Sequence, residues 1–186
     1  MKLRKPKASN IIFFVVIALL IIPQTRKPIQ VALNKVIAVF GPLIIDEGKR
    51  SVFEYSSWRL EGLNGEQINF KDLEGEVVLL NFWATWCPPC IAELPHIQEL
   101  SKEYGNRIKI VLVSGESLNK VSSYFDKKGY DLNSYHPLES YPKGLNISSI
   151  PRTFLIDEQG KIVIDKTGAA NWNSNKVRKL IDDLLK

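Results

Sequence analysis

The chain predicts an α/β domain with an N-terminal β-hairpin extension, preceded by an N-terminal membrane anchor. Three observations carry that expectation. Val77 to Trp83 is an apolar run of strand length, interrupted only by Asn81, and it is followed by a helical stretch over 88–104 and a second apolar run from Ile108 to Ser114. That order makes a βαβ unit with a right-handed crossover. Near the C-terminus, Val177, Leu180, Ile181, Leu184 and Leu185 recur at i, i+3, i+4, i+7 and i+8, the stripe of an amphipathic closing helix. Near the N-terminus, Ile11 to Ile22 is unbroken by any polar residue.

Taken in order, the apolar run is too short by itself for a hydrocarbon core of about 30 Å, but its flanks lengthen it. Between Lys7 and Arg26 lie 18 uncharged residues, about 27 Å of helix, with cations at both ends to reach the interfaces. A cleaved secretory signal is the competing reading, but no small-x-small cleavage signal follows Ile22, so residues 1–28 read first as a cytoplasmic tail and an uncleaved signal anchor; either reading exports the domain. A lipidated anchor would need a cysteine here, and the sequence has none. More cations precede the span than immediately follow it, which places the rest of the chain outside the cell. Residues 29–56 read as a juxtamembrane stalk, helical over 29–45 and broken at Gly41-Pro42.

Residues 57–186 suit one domain with a single core. Trp58 and Leu60, then Asn64-Gly65, then Ile68 and Phe70, alternate around a type I′ turn signal and predict a hairpin. Leu118, Val121 and Phe125 mark a second helix. Thr153–Ile156 and Ile162–Lys166 flank Asp157-Glu158-Gln159-Gly160 as an antiparallel hairpin. His136 falls in a loop beside Pro137, and His96 on the polar side of the helix over 88–104.

The chemistry-bearing segment is Trp86-Cys87-Pro88-Pro89-Cys90, which holds the only two cysteines. Two thiols two residues apart shuttle between dithiol and disulfide without a third sulfur. At a helix start Cys87 would face unpaired N–H groups and the positive end of the helix dipole, both of which favour thiolate. It is therefore the expected attacking sulfur. Pro88 and Pro89 suit the first helical positions, where no N–H bond is needed. Cys90, one turn in, is the expected resolving thiol. A free cysteine titrates at about 8.5 and the first cysteine of such motifs at about 7, so much of the sulfur would be reactive at neutral pH. Two other readings stand beside this one. Structural zinc needs four ligands, and besides carboxylates only His96 and His136 could join the pair. An inert disulfide this short would close almost no loop and stabilise little.

The run Asn81-Phe82-Trp83-Ala84-Thr85-Trp86-Cys87-Pro88-Pro89-Cys90-Ile91-Ala92-Glu93-Leu94-Pro95, with Ile150-Pro151-Arg152-Thr153-Phe154-Leu155-Ile156-Asp157 downstream, closely resembles the membrane-anchored TlpA/ResA-type thiol-disulfide oxidoreductases. These are redoxin-like members of the thioredoxin superfamily. The resemblance spans roughly residues 57–186 and implies a thioredoxin-like fold. It also implies a cis bond at Pro151 packed against the dithiol, with Ile150 offering backbone groups to an extended substrate. Trp86, Pro88, Pro89, Ile150 and Pro151 are thus the expected substrate-binding residues. Glu93, three residues after Cys90, is the expected active-site acid, which would accept the resolving thiol's proton if burial raises its pKa. Thioredoxins carry a buried acid at the position of Asn81, so here that duty passes to Glu93 or water, and Asn81 reads as a satisfied core amide. Pro95 should kink the helix. Trp86 is expected to shield Cys87, and Trp83 to be core. Arg152 is expected either to stabilise the thiolate, to select acidic partners, or to be solvated. Gly129 to Ser149, with Tyr130, Tyr135 and Tyr141, reads as an insertion whose aromatics serve core packing or partner recognition.

The net charge of +5 is unevenly spread. Lys2, Arg4, Lys5, Lys7, Arg26, Lys27, Lys35, Lys49 and Arg50 face only Asp46 and Glu47 in the first fifty residues, which leaves the remainder mildly acidic. That pattern excludes a nucleic-acid footprint and suits a membrane-proximal tail. The expected function is an extracytoplasmic, membrane-tethered thiol-disulfide oxidoreductase acting as a reductase on protein disulfides. It would need no cofactor beyond the Cys87–Cys90 centre and would draw electrons from a transmembrane thiol donor. The resemblance offers cytochrome c maturation as one setting. Net oxidation or isomerisation is the alternative enzyme reading, a peroxidase a weaker one, and metal delivery through Cys87, Cys90 and a histidine the alternative of another class.

Overall fold

The computed structural model describes residues 8–142, 145 and 147–186. The basic tail with Lys2, Arg4, Lys5 and Lys7, and Lys143, Gly144 and Asn146 of the expected insertion, lie outside the described residues. Seven strands form one mixed sheet in the order β2-β1-β5-β4-β3-β6-β7. These are β1 (Arg59–Gly62), β2 (Gln67–Asn69), β3 (Val78–Phe82), β4 (Lys109–Val113), β5 (Tyr135–Pro137), β6 (Arg152–Ile156) and β7 (Ile162–Thr167). The helices are α1 (Ala8–Ile21), α2 (Pro23–Ile37), α3 (Pro88–Tyr104), α4 (Leu118–Lys128) and α5 (Asn175–Leu184). The thioredoxin-like α/β architecture expected for the domain is the one observed.

β3 is buried on both faces, pairing parallel with β4 and antiparallel with β6. Its alternation divides two cores. Val77, Leu79 and Trp83 face one that includes Leu94, Ile97 and Leu100 of α3 and Val177 and Ile181 of α5. Val78, Leu80 and Phe82 face the other, with Trp58, Leu60 and Phe70 from the hairpin and Phe154 and Ile156 from β6. Each such side chain contributes about 1.5–3 kcal/mol of burial. Asn81 has the parity of Leu79 and so points at α3, where the Glu93 carboxyl lies.

Two local expectations change. The hairpin pairs as expected, Leu60 opposite Ile68, but its turn is not type I′, because Gly65 alone takes positive φ (80°) and Asn64 does not. The Gly65 N–H bonds the Gly62 carbonyl at 3.0 Å and the Gly62 N–H bonds the Glu66 carbonyl at 2.8 Å, so Leu63 and Asn64 make the turn and Gly65 the left-handed residue after it. His136 is not in a loop. It belongs to β5, which pairs antiparallel with β1 and meets β4 through Val113 and Tyr135, joining the hairpin to the central sheet. Pro95 lies inside α3, which continues past it to Tyr104.

The N-terminal helix also differs from the straight one expected between Lys7 and Arg26. Ile22 takes extended backbone (φ −70°, ψ 119°), as a residue before proline does, and Pro23 opens α2. The axes of the two helices differ by 89°. Among the described residues no single helix is long and apolar enough to cross a membrane, although the bent pair Ser9–Ile21 and Gln24–Ile37 passes together on length and composition. α1 leaves Ile11, Ile12, Phe13 and Phe14 exposed, whereas α2 lies against the domain. α2 ends before Gly41, and Ala38 is buried with Ala92 and Ala169. Beyond it the chain runs along the outer edge of β7, where Ile45 N–H bonds Val163 O (2.9 Å), Ile162 N–H bonds Ser51 O (2.9 Å) and Phe53 N–H bonds Gly160 O (2.7 Å). Gly41 permits the approach, since a Cβ there would sit 2.5 Å from Ser174 Oγ.

Candidate active site

Cys87 is the N-cap of α3 and forms a disulfide with Cys90. Pro88 and Pro89 fill the first two helical positions and have no N–H to offer, so the first helical donor is the Cys90 N–H, which points at Cys87 Sγ across 3.3 Å. The Ile91 N–H goes instead to the Cys87 carbonyl (3.0 Å). Cys87 is 3% exposed and Cys90 fully buried. The Ile150 carbonyl oxygen lies 3.7 Å from Cys87 Sγ, and the Ile150–Pro151 bond is cis. The two sequence motifs therefore meet at one sulfur.

Glu93 sits one helical turn beyond Cys90 and is 1% exposed. Its Oε1 accepts from Asn81 Nδ2 (2.8 Å), and its Oε2 from Trp172 Nε1 (3.0 Å) and the Ala170 N–H (3.3 Å). Burial raises its pKa to about 7, while these donors and the charge of Lys166 pull it back. A carboxyl half-ionised at neutral pH can take a proton and return it. Asn81 is satisfied only in part: Nδ2 also donates to Thr153 Oγ1 (2.7 Å), directly across the β3–β6 ladder, but Oδ1 is buried without a partner.

Trp86 does not shield Cys87. It is 60% exposed, and the buried cluster that holds Cys87 contains Trp83 and Ala84 instead, with Ile150 packed against it. Trp83 is core, stacked on Phe125 at 5.1 Å with Nε1 bonded to Ser134. Trp86, Ile150 and Tyr141 line a cleft of about 290 Å³ beside the dithiol. Pro88, Pro89 and Trp86 line another, of about 450 Å³, against α2. Arg152 is neither aimed at the thiolate nor left solvated: its guanidinium bonds Asp165 (2.6 Å) and Thr167 (2.9 Å) on β7 and lies over the Phe154 ring. Tyr130 packs on Phe125, Tyr135 bonds Glu66, and Tyr141 meets Trp58 and Phe82 edge-on.

Two contributors had no signal in the sequence. Trp172 lies 79 positions from the carboxyl it holds, in a segment without periodicity. Glu116 accepts from the Thr85 N–H (2.6 Å) and hydroxyl (2.9 Å), clamping the turn that leads into Cys87. Partial burial raises its pKa, but hydrogen bonds from Lys120 and Thr85 outweigh this and hold the carboxyl below its usual range. Lys27 of α2 reaches the same turn, its Nζ donating to the Thr85 carbonyl (3.0 Å). Among the described residues no cluster of three or more His, Cys, Asp or Glu is arranged to hold a metal ion. His96 is half-buried on α3, and His136 Nδ1 lies 3.0 Å from the Glu116 carbonyl oxygen.

Comparison with known proteins gives a consistent picture. A family model described as Redoxin matches residues 54–184. The thioredoxin-like protein YneN of Bacillus subtilis is 37% identical over 126 residues, covering 63% of this chain and 69% of that protein. The thiol-disulfide oxidoreductase ResA of the same organism is 38% identical over 129 residues, covering 65% and 71%. Among solved structures, the exposed lipoprotein thioredoxin of Streptococcus pneumoniae superposes with a TM-score of 0.53 at 25% identity, covering 69% of this chain and 100% of that one.

Proposed function

The chain belongs to the redoxin family as a thiol-disulfide oxidoreductase, and from that membership we propose that it reduces disulfides of exported proteins while held at the outer face of a bacterial membrane. The observation that carries the mechanism is the buried Glu93 carboxyl, raised to about 7 and one turn from the resolving cysteine. In the reduced enzyme the Cys87 thiolate, favoured by the Cys90 N–H, attacks one sulfur of a substrate disulfide. The substrate S–S bond breaks, one substrate thiolate leaves, and Cys87 becomes the mixed disulfide. Cys90 then loses its proton to Glu93 and attacks Cys87 Sγ, releasing the second substrate thiolate and restoring the Cys87–Cys90 disulfide. Two electrons pass to the substrate in each cycle.

Ile150 offers its backbone N–H and C=O to an extended substrate, with Pro151, whose own carbonyl is taken by the Gly168 N–H, and Trp86, Pro88 and Pro89 as the flanking contact surface. A disulfide left after each turnover must be reduced again, and a transmembrane thiol donor supplies those electrons. The bent apolar segment α1–α2 supports the tether. One substrate class that fits is a haem-attachment Cys-x-x-Cys-His segment, as in cytochrome c maturation.

Trapping tests the exchange step. Cys90→Ser should accumulate mixed disulfides through Cys87 in cells, and sequencing the adducts names the substrates. Cys87→Ser should accumulate none, and equal behaviour of the two variants overturns the mechanism. Direction is tested by redox titration: a potential near or above about −120 mV, that of strong oxidants, overturns the reductase assignment.

A further inference from the structure

Away from the dithiol, α2, α3 and α4 enclose a groove of about 540 Å³. Its rim carries Lys35 from α2 and Lys127 and Lys128 from the end of α4, with Lys27, whose Nζ also donates to the Thr85 carbonyl, at one end, and no carboxylate lines it. Among the described residues none of these four lysines is within ion-pair distance of an acid. Asp126, the neighbouring acid on α4, is within hydrogen-bond distance of Ser122. Nor does α2 bring counter-charge, for there is no Asp or Glu from Pro23 to Ile45. Four cations gathered without an anion repel one another. The floor is apolar, formed by Val31, Ala32 and Ile91.

A second observation points to a ligand. Tyr124 lines the groove, and its hydroxyl is buried with no hydrogen-bond partner. An orphan buried hydroxyl costs stability unless something accepts its hydrogen bond. Burial pushes its pKa up to about 12, so it stays a donor at neutral pH. Lysine rim, O–H donor and apolar floor match a phosphodiester with a glycerol and acyl stem. In the membrane-held reading, with α1 entering the bilayer along its normal, the 89° joint lays α2 along the membrane plane and brings the rim to headgroup depth.

We propose that this groove binds the phosphate of an anionic phospholipid and that the bound headgroup clamps α2 onto the domain. The inference rests on the membrane-held reading above, and the test separates the two.

The full chain is mixed with phosphatidylcholine vesicles with and without phosphatidylglycerol, and hydrogen exchange is read at α2. Phosphatidylglycerol should slow α2 exchange at least tenfold, and Lys127→Gln/Lys128→Gln should remove most of that slowing. Tyr124→Phe should weaken the lipid effect while leaving the protein at least as stable in phosphatidylcholine, which a purely structural tyrosine would not do. Association with both vesicle types but equal α2 exchange overturns the groove and leaves the anchor standing. Association with neither overturns both. Equal slowing by inorganic phosphate in phosphatidylcholine alone overturns the lipid as occupant.

Discussion

Burying Glu93 beneath Cys90 raises its carboxyl from 4.5 to about 7, while Asn81, Trp172 and Ala170 keep the charged form tolerable. The sign of the linkage follows. Between pH 4.5 and about 7 the folded protein holds a proton at Glu93 that the unfolded chain has released, so stability falls as pH rises through that window. The full effect is about 3 kcal/mol, since each pKa unit is worth about 1.4 kcal/mol. In Glu93→Gln this slope should vanish, although the new amide turns its NH2 toward existing donors and gives back part of what removing the buried charge gains above pH 7. Denaturant titrations of both proteins at pH 5 and pH 8 check it, and an unchanged slope places the proton elsewhere. At the other cysteine, Pro89 withholds an N–H from Cys87. Pro89→Ala supplies it, and should speed alkylation of the reduced protein at mildly acidic pH by roughly 1.5- to 2-fold, because a weaker nucleophile partly offsets the larger thiolate fraction.

At the scale of elements, α2 is the surprise, because it lies along the active-site side of α3 and touches the Thr85 turn through Lys27. A chain lacking residues 1–37 should reduce bulky protein disulfides faster, by a few-fold, while reacting with a small dithiol at an unchanged rate. Parallel assays with a folded disulfide protein and with dithiothreitol separate steric cover from altered chemistry. Elements with local punctuation were legible in the sequence. α3 starts where Cys87 caps and Pro88-Pro89 begin, and the β6–β7 turn closes because Asp157 Oδ1 accepts from Gln159 and Lys161. β5 was not legible, since three residues including His136 and Pro137 carry no alternation and become a strand only through β1 and β4. Asn64-Gly65 signalled the hairpin correctly and its turn type wrongly, because the same pair serves a type I turn followed by a left-handed glycine. At the site, the helical spacing of Glu93 from Cys90 was local and readable. The donors that tune it come from β3 and from beyond β7, and only the assembled sheet brings them in.

For the whole molecule, the segment 38–56 is part of what keeps the sheet closed. Phe53 and Tyr55 pack on Phe70, and the backbone from Ile45 to Phe53 covers the edge of β7 that would otherwise present free N–H and C=O groups. A domain beginning at residue 57 should therefore melt at least about 5 °C lower than one beginning at residue 38 and show concentration-dependent self-association. Calorimetry and sedimentation of the two lengths test this. The same adhesion has a consequence for encounter. A free chain of this length would be a leash with an r.m.s. reach of about 24 Å, on which a domain swings and samples many orientations. Here α2 and the segment after it are fastened down, leaving no slack. In the membrane-held arrangement the dithiol then stays at one height and one tilt above the bilayer. Its partners must find it by lateral diffusion in two dimensions, and a substrate loop that cannot bend to that height is never reduced, however reactive the sulfur.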